Sequence, residues 1–174
     1  MQSYLYSGIG SLNTKGQEKL LAVFRQLVRI GTDPSELMDK IGQILVDGVH
    51  DRMERGIDPD GRPWQKSWRA SIQGNKTLID SRKLFNAVAY QLTKGGKNVS
   101  VGIPGVIYAP LMHFGGTIRA KNSPYLKFKT PLGGWVQVKS VKVPARPILG
   151  MSIDDAQGIL IEIEDYLEDA LKNA

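Results

Sequence analysis

Apolar residues recur at helical spacing towards both ends of the chain and alternate through its middle. From Thr14 to Ile30, residues Leu20, Leu21, Phe24, Leu27 and Val28 share one face, Thr14 with Gln17 makes a capping box, and Gly31 is placed to stop the helix. Asp33-Pro34-Ser35-Glu36 opens a second helix, with Asp33 as N-cap and a stripe of Leu37, Met38, Ile41, Ile44, Leu45 and Gly48. The short join predicts a helical hairpin over 14–55. Gly56 ends it, and Asp58-Pro59-Asp60-Gly61 is a turn in which Pro59 presets φ, Asp60 bonds its own backbone and Gly61 takes φ > 0. Trp64 and Trp68 then anchor the loop to the core.

Beyond a short element over 81–89, alternation over 87–92 and 98–103 flanks Thr93-Lys94-Gly95-Gly96-Lys97, a hairpin signal. After one apolar turn from Val106 to Gly116, a strand runs from Thr117 to Lys121. A second hairpin pairs Leu126 and Phe128 with Val136 and Val138 across Thr130-Pro131-Leu132-Gly133-Gly134. Parity slips before Val141 and Val143, which predicts a bulge or bend near Lys139-Ser140. Ser152 with Asp155 caps a last helix whose stripe is Ala156, Ile159, Leu160, Ile163, Leu167, Ala170 and Leu171. The fold expected is α+β: helical hairpin, twisted antiparallel sheet built from two hairpins, and a C-terminal amphipathic helix packed on that sheet. Residues 1–13 read as an arm, and 14–174 as one domain with a β-rich basic region over 78–147 and the last helix over 152–172.

Charge sharpens this layout. The chain has 174 residues and a formal net charge of +6. From Arg62 to Arg146 there are fifteen basic residues against Asp80 alone, a net of +14. The stretch 1–61 holds 7 basic and 9 acidic residues, and the tail from Pro147 holds Lys172 against seven acids. So positive a middle needs an anionic neighbour, nucleic acid or protein. The absence of cysteine excludes disulfides and thiolate metal sites and agrees with a reducing cytoplasm. No apolar run reaches membrane-spanning length, and the start of the chain does not read as a signal peptide, so the reading is of a soluble protein with no membrane partner.

Little of this composition suits catalysis. His50 lies beside Asp51 on a helix, where it is solvated or at an interface, and His113 sits between Met112 and Phe114 as a core or turn histidine bonded to backbone. Asp80 alone cannot supply a carboxylate pair or a two-metal site to the basic block. The Asp58–Gly61 loop looks like half a calcium loop without the later ligands or the closing glutamate. No catalytic, cofactor-binding or metal-ligating residue is assigned, and a hydrolase built on His113 is the most distant reading.

The stretch Val143-Pro144-Ala145-Arg146-Pro147-Ile148-Leu149-Gly150 joins the basic block to the acidic helix. Its prolines fix φ and lack N–H groups, so Arg146 is a five-donor fork on a stiff backbone, suited to a carboxylate, a run of backbone carbonyls or a phosphate. It follows in fixed order three other short motifs: Gly56-Ile57-Asp58-Pro59-Asp60-Gly61-Arg62-Pro63-Trp64, Ser-x-x-Leu ending at Leu84, and Tyr108-Ala109 through His113-Phe114-Gly115-Gly116. Together, over about Ile41 to Leu171, they resemble the phage virion morphogenesis family of tail completion proteins. The family pattern usually has Thr-Gly or Ser-Gly before the Leu84 equivalent, where this chain has Ser81-Arg82-Lys83, so a different turn is expected there.

The resemblance implies a non-enzymatic structural protein of the head–tail junction of a tailed bacteriophage, without cofactors. It implies a homo-oligomeric ring, a hexamer or dodecamer, among other neck, connector and tail-tube proteins and near packaged DNA. Its place would be the virion, after assembly in the host cytoplasm. Trp64, Tyr108, His113, Gly115, Gly116, Pro144 and Pro147 would define the fold, with Arg146 clamping a neighbouring segment.

From alternation, Lys127, Lys129, Gln137 and Lys139 project from one face of the second hairpin, and lysines on neighbouring strands repel unless something anionic faces them. The last helix offers Asp155, Glu162, Asp165, Glu168 and Asp169, so one subunit's hairpin is expected against the next subunit's helix, with Arg146 also expected at a subunit or partner interface. The competing function is a basic nucleic-acid-binding module using the same lysines. Tight duplex binding at near-physiological salt distinguishes it from the generic pull of a basic surface.

Overall fold

The computed structural model describes residues 33–172. The arm over 1–13 and the helix expected over Thr14–Ile30 lie outside the described residues. The chain is α+β, with long helices towards both ends and small antiparallel ladders between them. Its elements are α1 (Ser35–Arg55), α2 (Trp68–Gln73), α3 (Lys83–Asn86), β1 (Ala89–Thr93), β2 (Asn98–Gly102), α4 (Ala109–Phe114), β3 (Gly116–Arg119), β4 (Leu126–Lys129), β5 (Trp135–Val138), β6 (Ser140–Val143) and α5 (Ile153–Lys172).

Two compact units share these elements. Among the described residues, one comprises 33–50, 88–104 and 149–172, the other 51–87 and 105–148. In the first, the Asp33 carboxylate accepts the Ser35 N–H at 3.1 Å and opens α1 where the sequence places its cap. Leu37, Met38 and Ile41 of α1 meet Ile159 and Ile163 of α5, all buried, with Leu92 and Val99 of the β1–β2 hairpin packed alongside. Full burial of each isoleucine contributes roughly 1.5–3 kcal/mol. The support expected for α5 is a sheet; its buried residues share a core with α1 as well as with the β1–β2 hairpin, and Leu160, counted in the buried stripe, is on the exposed side. At the N-terminus of α5, the Ser152 hydroxyl accepts the Asp155 N–H at 3.1 Å and the Asp155 carboxylate accepts the Ser152 N–H at 2.7 Å. Asp155 is therefore a buried cap and no part of the solvent-facing acidic surface.

The β1–β2 hairpin has the expected turn, with Lys94, Gly95 and Gly96 all at positive φ inside the closing pair Thr93–Asn98. On α1, Gly42 gives room to the Tyr90 ring, which would lie 2.3 Å from an added Cβ, and the Tyr90 hydroxyl donates to Asp39 at 2.8 Å.

The second unit begins with the last turn of α1, where Arg52 and Met53 are buried although the helical stripe read from the sequence stops at Gly48. Its strands form two separate ladders, β4–β5 and β3–β6, and β1–β2 in the first unit is a third. The single twisted sheet expected is thus three two-stranded ribbons. The parity slip is a change of partner: β5 ends at Val138, Lys139 makes the bend, and β6 leaves the hairpin to pair Val143 with Gly116 and Val141 with Ile118 of β3. Ahead of α3, Arg82 adopts the left-handed conformation at φ 59°, a conformation that favours glycine. Trp68, expected as an anchor, starts α2 and is half in solvent.

Candidate functional site

Three of the four sequence motifs meet in the second unit. Gly56, at φ 72°, ends α1 by donating to the Arg52 carbonyl at 2.8 Å. The Asp58 carboxylate then accepts the N–H groups of Asp60 at 2.9 Å and Arg62 at 2.8 Å. Asp58, rather than Asp60, thus organises the turn, while the Asp60 carboxylate pairs with Arg62. The Trp64 N–H returns to the Gly56 carbonyl at 2.8 Å, closing a small loop that delivers a buried Trp64 ring.

That ring reaches the proline-flanked stretch. The Trp64 indole donates to the Pro147 carbonyl at 3.1 Å. Arg146 is 4% exposed, and its Nε donates to the Gln65 carbonyl at 2.9 Å. From α4, the Met112 carbonyl accepts the Arg146 N–H at 3.0 Å and His113 Nδ1 accepts the Ile148 N–H at 3.1 Å. Residues 144–148 therefore form a strap held by the tryptophan loop and by α4. Burial holds the Arg146 guanidinium below its ordinary proton affinity. The fork meets a backbone carbonyl of its own chain, one of the partners its geometry suits.

Where α4 meets β3, Gly115 lies against the strap: an added Cβ would be 2.6 Å from the Ala145 nitrogen. Gly116 starts β3, paired with Val143. Pro144 and Pro147 are half-buried, whereas Tyr108 at the start of α4 is partly exposed and makes no side-chain cap.

His113 holds its proton less tightly than the ordinary value of 6.5, because burial disfavours its charged form. Accepting at Nδ1 also requires that nitrogen to be unprotonated. A histidine with lowered affinity binds fewer protons folded than unfolded, so stability rises with pH between its lowered value and about 6.5. The protein is expected to lose stability as pH falls from about 6.5 through that window and no further from this group below it. His113→Ala should remove that step and cost about 1–3 kcal/mol at neutral pH, because the Ile148 N–H loses its acceptor. Urea midpoints at pH 7.5 and pH 5 check both, and an undiminished acid-side drop in the variant would assign the step elsewhere.

The charged candidates lie on two other surfaces. Lys127 and Lys129 are exposed on β4, opposite Gln137 and Trp135 of β5. The Lys127 ammonium stands 5.3 Å from the centre of the Trp135 ring. Lys139, expected on this face, is exposed in the bend beyond the ladder. On α5, Asp165 and Glu168 are exposed, but Glu162 is half-buried and pairs with Lys40 of the same chain at 2.6 Å. That hydrogen bond makes Lys40 hold its proton more tightly than an ordinary lysine.

Sequence reasoning missed the strap's receiving groups, Gln65 and Met112, because a backbone carbonyl carries no residue signature. It also missed Trp135 among the lysines, although its parity with Gln137 was visible. The family model described as the phage virion morphogenesis family matches residues 16–172. No curated protein matches the chain, and no solved structure does.

Proposed function

The chain belongs to the phage virion morphogenesis family, and from that premise we propose that it is a structural protein of the head–tail junction, forming an oligomeric ring that completes the tail or joins it to the head. The observation that carries this reading is the span of the family match, residues 16–172, which takes in the tryptophan loop, α4, the strap and both charged surfaces. The geometry agrees in kind. Trp64, His113 and Arg146, the side chains best equipped for chemistry, are spent on backbone groups of the strap. A rigid clamp of this sort suits a part that must hold its shape under load.

The test is a phage with this reading frame silenced. Infected cells should accumulate DNA-filled heads and separate tails, with infectious yield restored by the chain supplied in trans. Joined, infectious particles at the parental yield would overturn the proposal.

A further inference from the structure

We infer that the outward face of α5 is the seat for the β4–β5 hairpin of a second copy of this chain, an inference that rests on the ring reading above and assigns the surfaces that close the ring.

The helix side of the contact is apolar where solvent should favour polar groups. α5 buries Ile159 and Ile163, yet Ile153 is 71% exposed, Ile161 59% and Leu160 40%. At about 100° per residue, Ile153, Leu160 and Glu164 fall on one face with Ile161 flanking it. Glu164 and Asp165 are exposed beside them. The result is an apolar stripe rimmed by negative charge, turned away from the helix's own core.

The hairpin side carries the opposite rim around a similar centre. Its outward face holds Lys127, Lys129 and Trp135, the last 66% exposed, and Leu132 stands out from the turn. A two-stranded ribbon is marginal alone and gains from being covered. Asp80, the lone acid between Arg62 and Arg146, faces Arg69 at 3.5 Å. An acid from another copy therefore supplies what the local sequence lacks.

Charge complementarity and matching apolar centres select a second copy over nucleic acid. DNA would account for the lysines and Trp135 but leave Ile153, Leu160 and Ile161 in water. Because the two surfaces differ, the contact is head-to-tail, and its repetition about an axis gives a ring. Apolar burial holds the copies together, while the charges set which residues face one another.

The chain has no cysteine, so a pair of introduced ones reports the contact cleanly. Gln137→Cys and Gln157→Cys place thiols at exposed positions on the two faces. The full chain carrying both, assembled into particles and treated with a short bismaleimide, should give a ladder of covalent multimers ending at the ring. Either single variant should give none. As a second measurement, Lys127→Glu with Lys129→Glu should weaken association in solution at least tenfold, and adding Glu164→Lys with Asp165→Lys should recover most of that loss.

A ring visible in the particle without a ladder would overturn this contact and leave the ring reading standing. Absence of any ring from wild-type particles would instead remove the reading on which it rests. Dimers from a single variant would mean a two-fold contact, contrary to the inference. Unchanged association of the double-glutamate variant, together with lost DNA binding, would assign the hairpin to nucleic acid and overturn it as well.

Discussion

Gly115→Ala is expected to destabilise the protein by about 2–6 kcal/mol, from two costs that reinforce each other. Gly115 has φ 70° and ψ −178°, a region that side-chain-bearing residues essentially never occupy, at a cost of about 1–3 kcal/mol. The new Cβ would also lie 2.6 Å from the Ala145 nitrogen, 2.9 Å from the Val143 oxygen and 3.0 Å from the Ala145 Cα. All three are backbone atoms of β6 or the strap, so no side-chain tip can swing aside. The strap must shift, adding an overpacking cost of about 1–3 kcal/mol. Against a typical total of about 5–15 kcal/mol this leaves little margin. Gly56→Ala is the control, since Gly56 also has positive φ, 72°, but an added Cβ meets nothing within 4 Å. It should cost only the conformational term, about 1–2 kcal/mol. Urea unfolding of both variants decides the matter, and equal losses would mean that the close approach to the strap contributes nothing.

Arg146→Ala should cost about 2–4 kcal/mol, and the loss should appear as misfolding before it appears as an assembly defect. The residue is nearly inaccessible, and its Nε satisfies the Gln65 carbonyl. Truncation removes packing and leaves that carbonyl without its donor. Arg146→Met keeps much of the stem and should recover part of the loss, whereas Arg146→Lys replaces a planar fork with a compact, strongly hydrated charge and should not restore the native stability. Lys127→Ala, on the exposed hairpin, should change stability by less than about 0.5 kcal/mol. If Arg146→Ala unfolds with the wild type but fails to assemble, the residue acts at a contact between subunits, and the clamp assigned to it is wrong.

These two residues also show what the sequence could and could not disclose. The proline pair around Arg146 announced a stiff backbone holding a fork, but its acceptor lies 81 residues away and is a main-chain oxygen. Local patterns were legible: the Asp33 cap, the Ser152–Asp155 capping box, the Lys94-Gly95-Gly96 turn and the burial of Ile159 and Ile163 all follow from neighbours in the chain. Non-local pairing was not. The slip between Val138 and Val141 is visible, but every residue of β3 is exposed, so nothing in its pattern marks it as the new partner of β6. Charge misled in a similar way. Asp155 and Glu162 belong to an acidic run that suggests a solvated face, yet a hydroxyl-bearing cap buries one and Lys40 engages the other. Only the three-dimensional arrangement separates them from Glu164 and Asp165.

The central claim is that this chain builds a ring at the head–tail junction, and locating it in the intact particle tests that claim most directly. Cryo-electron microscopy of assembled phage, with the neck reconstructed at a resolution that traces helices, should show closed-ring density into which α1, α5 and the β4–β5 hairpin fit in every subunit. The same particles purified from a strain lacking the chain should lack that density. Finding the chain elsewhere in the virion, or in the neck as isolated copies without a ring, would contradict the account.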